Sequence, residues 1–317
     1  MAVAESDFSL ASRRRPRWSR HRVASAASPY GLLAPALVVL SVVLGYPLYL
    51  IARLSFEKYG LFELIRHKGR WIGLDNYTAI IHDSQFWHVL LRTVGFTAVN
   101  VSLTMVLGTA IALLLVRVST VVRYMLTAAL VFVWATPVVV AVDVWRWLVD
   151  PQFGLANWLL TKLHVGNFVH HDWFVNPWSG FGVITAVVVW GAIPFVAITV
   201  FAGLSQVPAE LIEAAQIDGA RAWNVFREVT LPLLKPIFVI LVSLSIIWDF
   251  QVFNQIWIML DQRPSADYYL MSVYSFVESF RISEYGLGSA IAVVMVLIMF
   301  GFTFVYVRQM VKAGEVR

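Results

Sequence analysis

Residues 248–255 read Trp248-Asp249-Phe250-Gln251-Val252-Phe253-Asn254-Gln255, placing one carboxylate and three side-chain amides among aromatic rings inside an apolar run. Carboxylates and amides hydrogen-bond to hydroxyl groups, and flat aromatic faces cover the apolar face of a sugar ring. The octet therefore has the functional groups of a carbohydrate site. Inter-helix hydrogen bonding is the structural alternative for Asp249, and helix packing is the alternative for the aromatics. Asp143 and Arg146 form a second polar pair, three residues apart on one helical face. They are expected to neutralise each other, the alternative being a gate or a partner contact. Asn100, Trp134 and Thr136 are further polar or amphipathic groups in apolar runs. His170-His171-Asp172 lacks a third spaced ligand, so no metal site is assigned. The chain contains no cysteine, which excludes disulfides, thiolate metal sites and thiol nucleophiles. No carboxylate pair or Ser/His arrangement shares a depth, and no catalytic residue is assigned.

The elements that must position these groups follow from composition. Of 317 residues, 59% are hydrophobic and 14% charged, against about 45–50% and 25% in soluble domains. Such a surplus needs an apolar solvent, and the expected fold is an all-α integral membrane protein. Runs long enough to cross the hydrocarbon, about 20 residues each, fall near 30–52, 93–116, 125–149, 181–203, 237–260 and 287–307, giving six transmembrane helices. Prolines inside them (Pro35, Pro47, Pro137, Pro194) are expected to be tolerated where neighbouring helices cover the loosened backbone. The Arg-rich segment 1–29 carries Arg13, Arg14, Arg15, Arg17, Arg20 and Arg22, then meets an apolar stretch too long for a signal-peptide core. It reads as the orienting flank of an uncleaved first span rather than as a nucleic-acid arm. Lys and Arg are most concentrated in the segments that put both termini and residues 204–236 on the cytoplasmic side, with 311–317 as a C-terminal tail. The opposite loops, about 53–92, 150–180 and 261–286, are rich in Trp and Tyr; an interfacial belt and a docking surface both fit them.

Between two apolar runs lies a polar island, EAAQIDGARAWNVFREVTLPLLKP, at 213–236. Pro208 suits a first helical turn, Glu210 and Glu213 favour its positive end, and Asp218-Gly219 reads as a stop. A second short helix near 220–229 carries Trp223 and Phe226 on one side, and Leu231-Pro232 and Lys235-Pro236 are expected to break the run before the next span. The product is a helix–turn–helix bracket whose Ala214 and Ala215 leave room for a close partner. Docking of a soluble partner and a helix lying on lipid headgroups both fit that pattern.

The spacing of Glu213, Ala214, Ala215, Gly219, Val229, Leu231 and Pro232 resembles the EAA loop of bacterial ABC-importer permeases, which more often have Ile at the position of Val229. Trp71-Ile72-Gly73-Leu74-Asp75-Asn76-Tyr77, Trp145-Arg146-Trp147-Leu148, Asp150–Asn157 and the Tyr274…Phe280…Gly286-Leu287-Gly288 stretch are similar to sugar permeases of the maltose (MalF) type. The likeness spans about 30–310 as one six-span permease domain. It departs at Arg92, where Asn is usual, and at Asp261-Gln262-Arg263-Pro264, which replaces a Gly-Gly-Pro turn; docking at that face is what the departures put in doubt.

The resemblance implies a coupling loop, Glu213, Ala214, Ala215, Asp218, Gly219, Trp223, Phe226, Leu231 and Pro232, that seats in a groove on a cytoplasmic ATPase. It implies substrate contacts at Trp248, Asp249, Gln251 and Asn254, and at Trp190 and Phe195 of Trp190-Gly191-Ala192-Ile193-Pro194-Phe195, with Val252 where that family has a sugar-binding Asn. It further implies a second, unlike permease of the MalG kind, two ATPase subunits that bind ATP and Mg, an extracytoplasmic sugar-binding protein, a sugar substrate and no cofactor in this chain. No G-x-x-x-x-G-K-[ST] phosphate loop occurs in the chain, so the motor must come in trans. Trehalose is the leading expectation, by likeness to permeases of actinobacterial trehalose importers, with maltose, other disaccharides and glycerol phosphodiesters open. The alternatives are a secondary transporter or channel working without an ATPase, and an intramembrane enzyme. The first would require broken helices or ion-binding carboxylates at the midplane, often in a pair of related halves.

Overall fold

In hydrocarbon a chain must satisfy its own backbone groups, and a helix does this within one segment. The computed structural model describes residues 33–314, and its apolar runs are helical apart from short breaks at 136–137 and 251–253. The basic 1–29 segment and residues 315–317 lie outside the described residues. Five helices are long and apolar enough to cross a membrane: α1 (Leu33–Leu54), α4 (Ser84–Arg117), α8 (Pro177–Leu204), α10 (Ala222–Phe250) and α13, whose apolar part is Tyr285–Arg308 and which runs on to Gly314. A bent pair, α5 (Thr120–Ala135) and α6 (Val138–Leu148), makes the sixth crossing when counted as one span. Shorter helices decorate the connections: α2 (Leu61–Arg66), α3 (Asp75–His82), α7 (Leu155–Lys162), α9 (Ala209–Ile217), α11 (Asn254–Met259) and α12 (Met271–Phe276). Extended structure among the described residues is a two-residue ribbon, Glu57–Lys58 antiparallel to Arg70–Trp71. The chain divides into a unit ending at Leu50 and a larger one from Ile51 onward, and helices α2 to α13 all belong to the larger unit.

Helix α4 starts nine residues before its apolar run, because Asp83 caps it by accepting from the Gln85 N–H. Its 34 residues span about 50 Å at 1.5 Å per residue, well beyond about 30 Å of hydrocarbon. It packs along α8, which Asn176 caps by accepting from the Trp178 N–H. At the α9 end, Val101, Met105 and Ala112 of α4 meet Val196 and Val200 of α8 and Leu234 and Leu241 of α10. At the opposite end Phe96 joins Val142, Ile184, Val187, Ile256 and Val273 from α4, α6, α8, α11 and α12.

Three expectations for the spans are corrected. The predicted continuous helix 125–149 is broken by a 100° bend at Thr136-Pro137. Pro137 has no N–H, and its ring pushes Thr136 out of the helical region, to φ −69° and ψ 125°. The predicted span 237–260 ends at Phe250; the backbone loosens over 251–253 and resumes as α11. The carbonyl of Val252 freed there accepts from the Ser272 hydroxyl at 2.6 Å. The prolines expected to stop the polar island do not, because α10 runs unbroken from Ala222. A π turn at Phe226–Thr230, where the Leu231 N–H bonds back to the Phe226 carbonyl, absorbs the register change before Pro232 in the next first turn, and Pro236 is carried inside the helix.

Close approach of α4 and α8 depends on Gly108. A Cβ there would lie 2.6 Å from Val196 Cγ1, whereas one at Gly95 of the same helix would meet nothing within 4 Å. Gly108→Leu is expected to destabilise the purified protein by about 1–3 kcal/mol through overpacking, seen as a lowered melting temperature in detergent, while Gly95→Leu melts like the parent.

Candidate functional site

The two interrupted spans meet. The end of α5 (Trp134, Thr136), the start of α6 (Val138, Ala141), the middle of α8 (Trp190, Ala192, Phe195) and the end of α10 (Ser245, Trp248, Asp249), with Val252 and Gln255 beyond it, line a cavity of about 260 Å³. Phe195 stands between two indoles, its ring 6.5 Å from Trp134 and 5.2 Å from Trp248, centroid to centroid. Trp190 packs edge-on to Trp145 at 6.1 Å. Asp249 is 3% exposed, and its Oδ2 has no hydrogen-bond partner among the described residues. A buried, unpaired carboxylate oxygen is expensive, and here it borders an aromatic-walled space. The arrangement offers a ligand aromatic faces, with the polar side chains of Ser245, Asp249 and Gln255 on the same wall.

Of the sequence-predicted contacts, Trp190, Phe195, Trp248 and Asp249 share this cavity, as do Trp134 and Thr136. Gln251 and Asn254 do not. The Gln251 amide donates to the Ile247 carbonyl at 3.1 Å, and its side chain borders a separate groove with Phe276 and Phe280; Asn254 is exposed and borders neither space. Gln255 takes their place. It lies on the stripe Ser245, Trp248/Asp249, Val252, Gln255, whose spacing of three or four residues was visible in the sequence. A second stripe, Thr93, Thr97, Asn100 and Thr104 on α4, is fully buried, with Thr97 Oγ1, Asn100 Oδ1 and Thr104 Oγ1 left without partners among the described residues. Asn100 does not line the cavity; its amide donates to the Phe96 carbonyl.

The expected Asp143–Arg146 pair is replaced. Arg146 pairs with Asp261, in the loop after α11, because α11 packs on α6 and carries that loop past the helix end; Asp143 is exposed. Asp261 and Gln262 hold φ of 52° and 60°, the left-handed region a Gly-Gly turn would enter freely. Arg92 is also engaged within the chain, donating to the carbonyls of Ala266 at 2.9 Å and Tyr269 at 3.1 Å. Of the adjacent histidines, His171 packs its ring edge-on to Trp173 at 4.9 Å, and His170 is exposed.

At the other end of the spans, α9 and the start of α10 form the bracket. The Ala220 N–H returns to the Ala215 carbonyl at 2.9 Å and the Gly219 N–H to the Gln216 carbonyl at 3.0 Å, the paired bonds that close a helix with a left-handed residue. Gly219 is that residue, at φ +82°. Glu213, Ala214, Asp218 and Trp223 are exposed and Ala215 half-buried; the Trp223 and Phe226 rings lie 5.8 Å apart. Ile217 is 85% exposed and Trp223 67%. Ile217, at the end of α9, was not singled out in the sequence. A side chain at Gly219 would meet open space, so the cost of replacing it is backbone strain alone, about 1–2 kcal/mol. Gly219→Val is therefore expected to loosen the turn, raising amide hydrogen exchange across 209–220 roughly tenfold, with the exchange of α4 and α8 unchanged.

A family model described as binding-protein-dependent transport system inner membrane component matches residues 104–312. The chain is 41% identical to the diacetylchitobiose uptake system permease protein DasB of Streptomyces coelicolor over 292 residues, covering 92% of this chain and 89% of that protein. It is 34% identical to the trehalose/maltose transport system permease protein MalF of Thermococcus litoralis over 239 residues, covering 75% and 79%. Its fold is similar to a chain in the crystal structure of a bacterial ABC transporter involved in importing the acidic polysaccharide alginate, with a TM-score of 0.74 and 19% identity, over 90% of this chain and 99% of the other.

Proposed function

The chain belongs to the family of binding-protein-dependent transport system inner membrane components, and from that premise we propose that it is a membrane-spanning permease subunit of an ATP-driven sugar importer. The observation that carries this reading is the bracket. A turn closed by Gly219 presents exposed Ile217 and Trp223 beyond the ends of the spans. Exposed apolar side chains flanking a closed turn are a surface for a protein groove. In this reading the bracket and both termini face the cytoplasm, two ATPase subunits hold ATP and Mg, and this chain holds no cofactor. Closure of the ATPases swings the spans and exposes the cavity to opposite sides in turn. A second, unlike permease of the MalG kind completes the pathway, and a sugar-binding protein delivers substrate at the α7 end.

The cavity supports the sugar assignment through its rings and the polar Ser245, Asp249 and Gln255 on its wall. Its volume of about 260 Å³ falls below the usual ligand-pocket range of about 300–1,000 Å³, in keeping with a site completed by a second permease. The names of the relatives point to small oligosaccharides, diacetylchitobiose in one and trehalose or maltose in another. A disaccharide is the substrate class we assign, with trehalose as one member.

Reconstitution of the whole importer in proteoliposomes tests the reading. Ile217→Asp and Trp223→Ala are each expected to lower ATP-driven uptake tenfold or more, as loss of a hot-spot contact does, while the two permeases still co-purify. Sugar uptake by this chain without ATPase subunits would end the reading. Within the cavity, Gln255→Ala is expected to reduce uptake about tenfold, the loss of one to two hydrogen bonds, and Gln251→Ala and Asn254→Ala to leave it within about twofold.

A further inference from the structure

The carbonyl of Val252 has two competing partners. In an unbroken helix it would accept from the N–H of Ile256, four residues on. In this structure it accepts from the Ser272 hydroxyl at 2.6 Å, while the next bond along, from the Trp257 N–H to the Phe253 carbonyl, is already helical at 2.9 Å. A break of this kind has two discrete arrangements, open with Ser272 engaged or continuous with it released. The ends of the bond sit on different parts of the bundle. Val252 continues from α10, the helix that begins in the bracket. Ser272 is on α12, which is fastened to α4 and α8. The Met271 N–H donates to Thr93 Oγ1 of α4 at 3.0 Å, and Met271 and Val273 are fully buried. Just before α12, Arg92 of α4 donates to the Ala266 and Tyr269 carbonyls. There the Tyr268 hydroxyl also donates to the Phe174 carbonyl, and its ring leaves no room for a Cβ at Gly180 of α8.

We propose that Ser272 is a positioning residue, a latch that ties α10 to the α4–α8 frame and holds the break at 251–253 open until α10 moves. This rests on the reading of the chain as an ATP-driven permease, in which the ATPases act at the bracket end of the same helix. When their closure draws α10 along the frame, the Ser272 bond parts, the Val252 carbonyl passes to the Ile256 N–H and the span becomes continuous. A helix rises about 1.5 Å per residue against about 3.3 Å in extended backbone. Closing the break therefore draws Gln255 toward Trp248 and Asp249 and contracts the α11 end of the cavity they line.

The test is amide hydrogen exchange of the whole importer in nanodiscs, read by mass spectrometry on peptides covering 254–259. In the parent, trapping with ATP and vanadate is expected to slow exchange at these amides about fivefold, the worth of one hydrogen bond. Ser272→Ala is expected to show that slow rate without nucleotide, because the freed carbonyl has Ile256 to take it, and to change less than twofold on trapping. Ser272→Thr, which returns the hydroxyl, is expected to restore the nucleotide-dependent difference. A hydroxyl that merely propped a helix end would act with the opposite sign, its loss speeding exchange. Faster or unchanged exchange in nucleotide-free Ser272→Ala would therefore overturn the latch, and so would a parent rate indifferent to trapping in particles whose ATPase activity vanadate inhibits. ATP-driven uptake by the parent in proteoliposomes reports on the permease reading separately. Its absence would sink that reading and the ATPase-driven release with it, while slow exchange in nucleotide-free Ser272→Ala would still support a latch at the break.

Discussion

Every backbone N–H and C=O at membrane depth must find a partner within the protein, and an interrupted helix is tolerated only where its freed groups are covered or face a polar space. This chain interrupts two of its crossings, at Thr136-Pro137 and at 251–253, and both breaks open on the same cavity. At the second, a hydroxyl from Ser272 takes up the loosened Val252 carbonyl. The breaks turn side chains of α5, α6, α10 and α11 toward a common space that continuous helices would have filled. The uninterrupted α4–α8 pair, brought close at Gly108, is the frame against which the broken elements are held.

The opposite end obeys the same constraint in reverse. Residues 205–221 leave the apolar runs, and their short helix α9 is closed by its own turn instead of by a neighbouring helix. Because the turn is self-contained, its apolar side chains are free to point away. The π turn at Phe226–Thr230 then lets the chain re-enter as one helix despite two prolines. A continuous helix, α10, leads from Trp223 in the bracket to Asp249.

Much of this was legible in the sequence, for reasons that are local. The crossings follow from long apolar runs, and the Asp218-Gly219 stop follows from glycine's access to positive φ. Trp190, Phe195, Trp248 and Asp249 do line one space; residue types suggested the last two and the family resemblance the first two. What was missed is non-local or periodic. The break at 251–253 contains neither glycine nor proline, and Ser272, whose hydroxyl takes up the freed Val252 carbonyl, lies twenty residues away. Pro137 was visible but was counted as tolerable; only packing decides whether a proline kinks or breaks a span. Arg146 was matched to the nearest acid in sequence, Asp143, when α6–α11 packing brings Asp261 to it. Gln251 and Asn254 were chosen for their amide chemistry over Gln255, although the three-to-four spacing of the stripe marks Gln255.

The absence of native cysteine makes the central claim, that the cavity between the two breaks changes sides as ATP is used, directly measurable. Ser245→Cys places one small, isosteric thiol on the cavity wall. Its reaction rate with a membrane-impermeant maleimide, applied from the α9 side of the reconstituted importer, should fall at least tenfold when ATP and vanadate trap the ATPases closed, and rise correspondingly from the other side. Equal rates from each side with and without nucleotide would contradict the account.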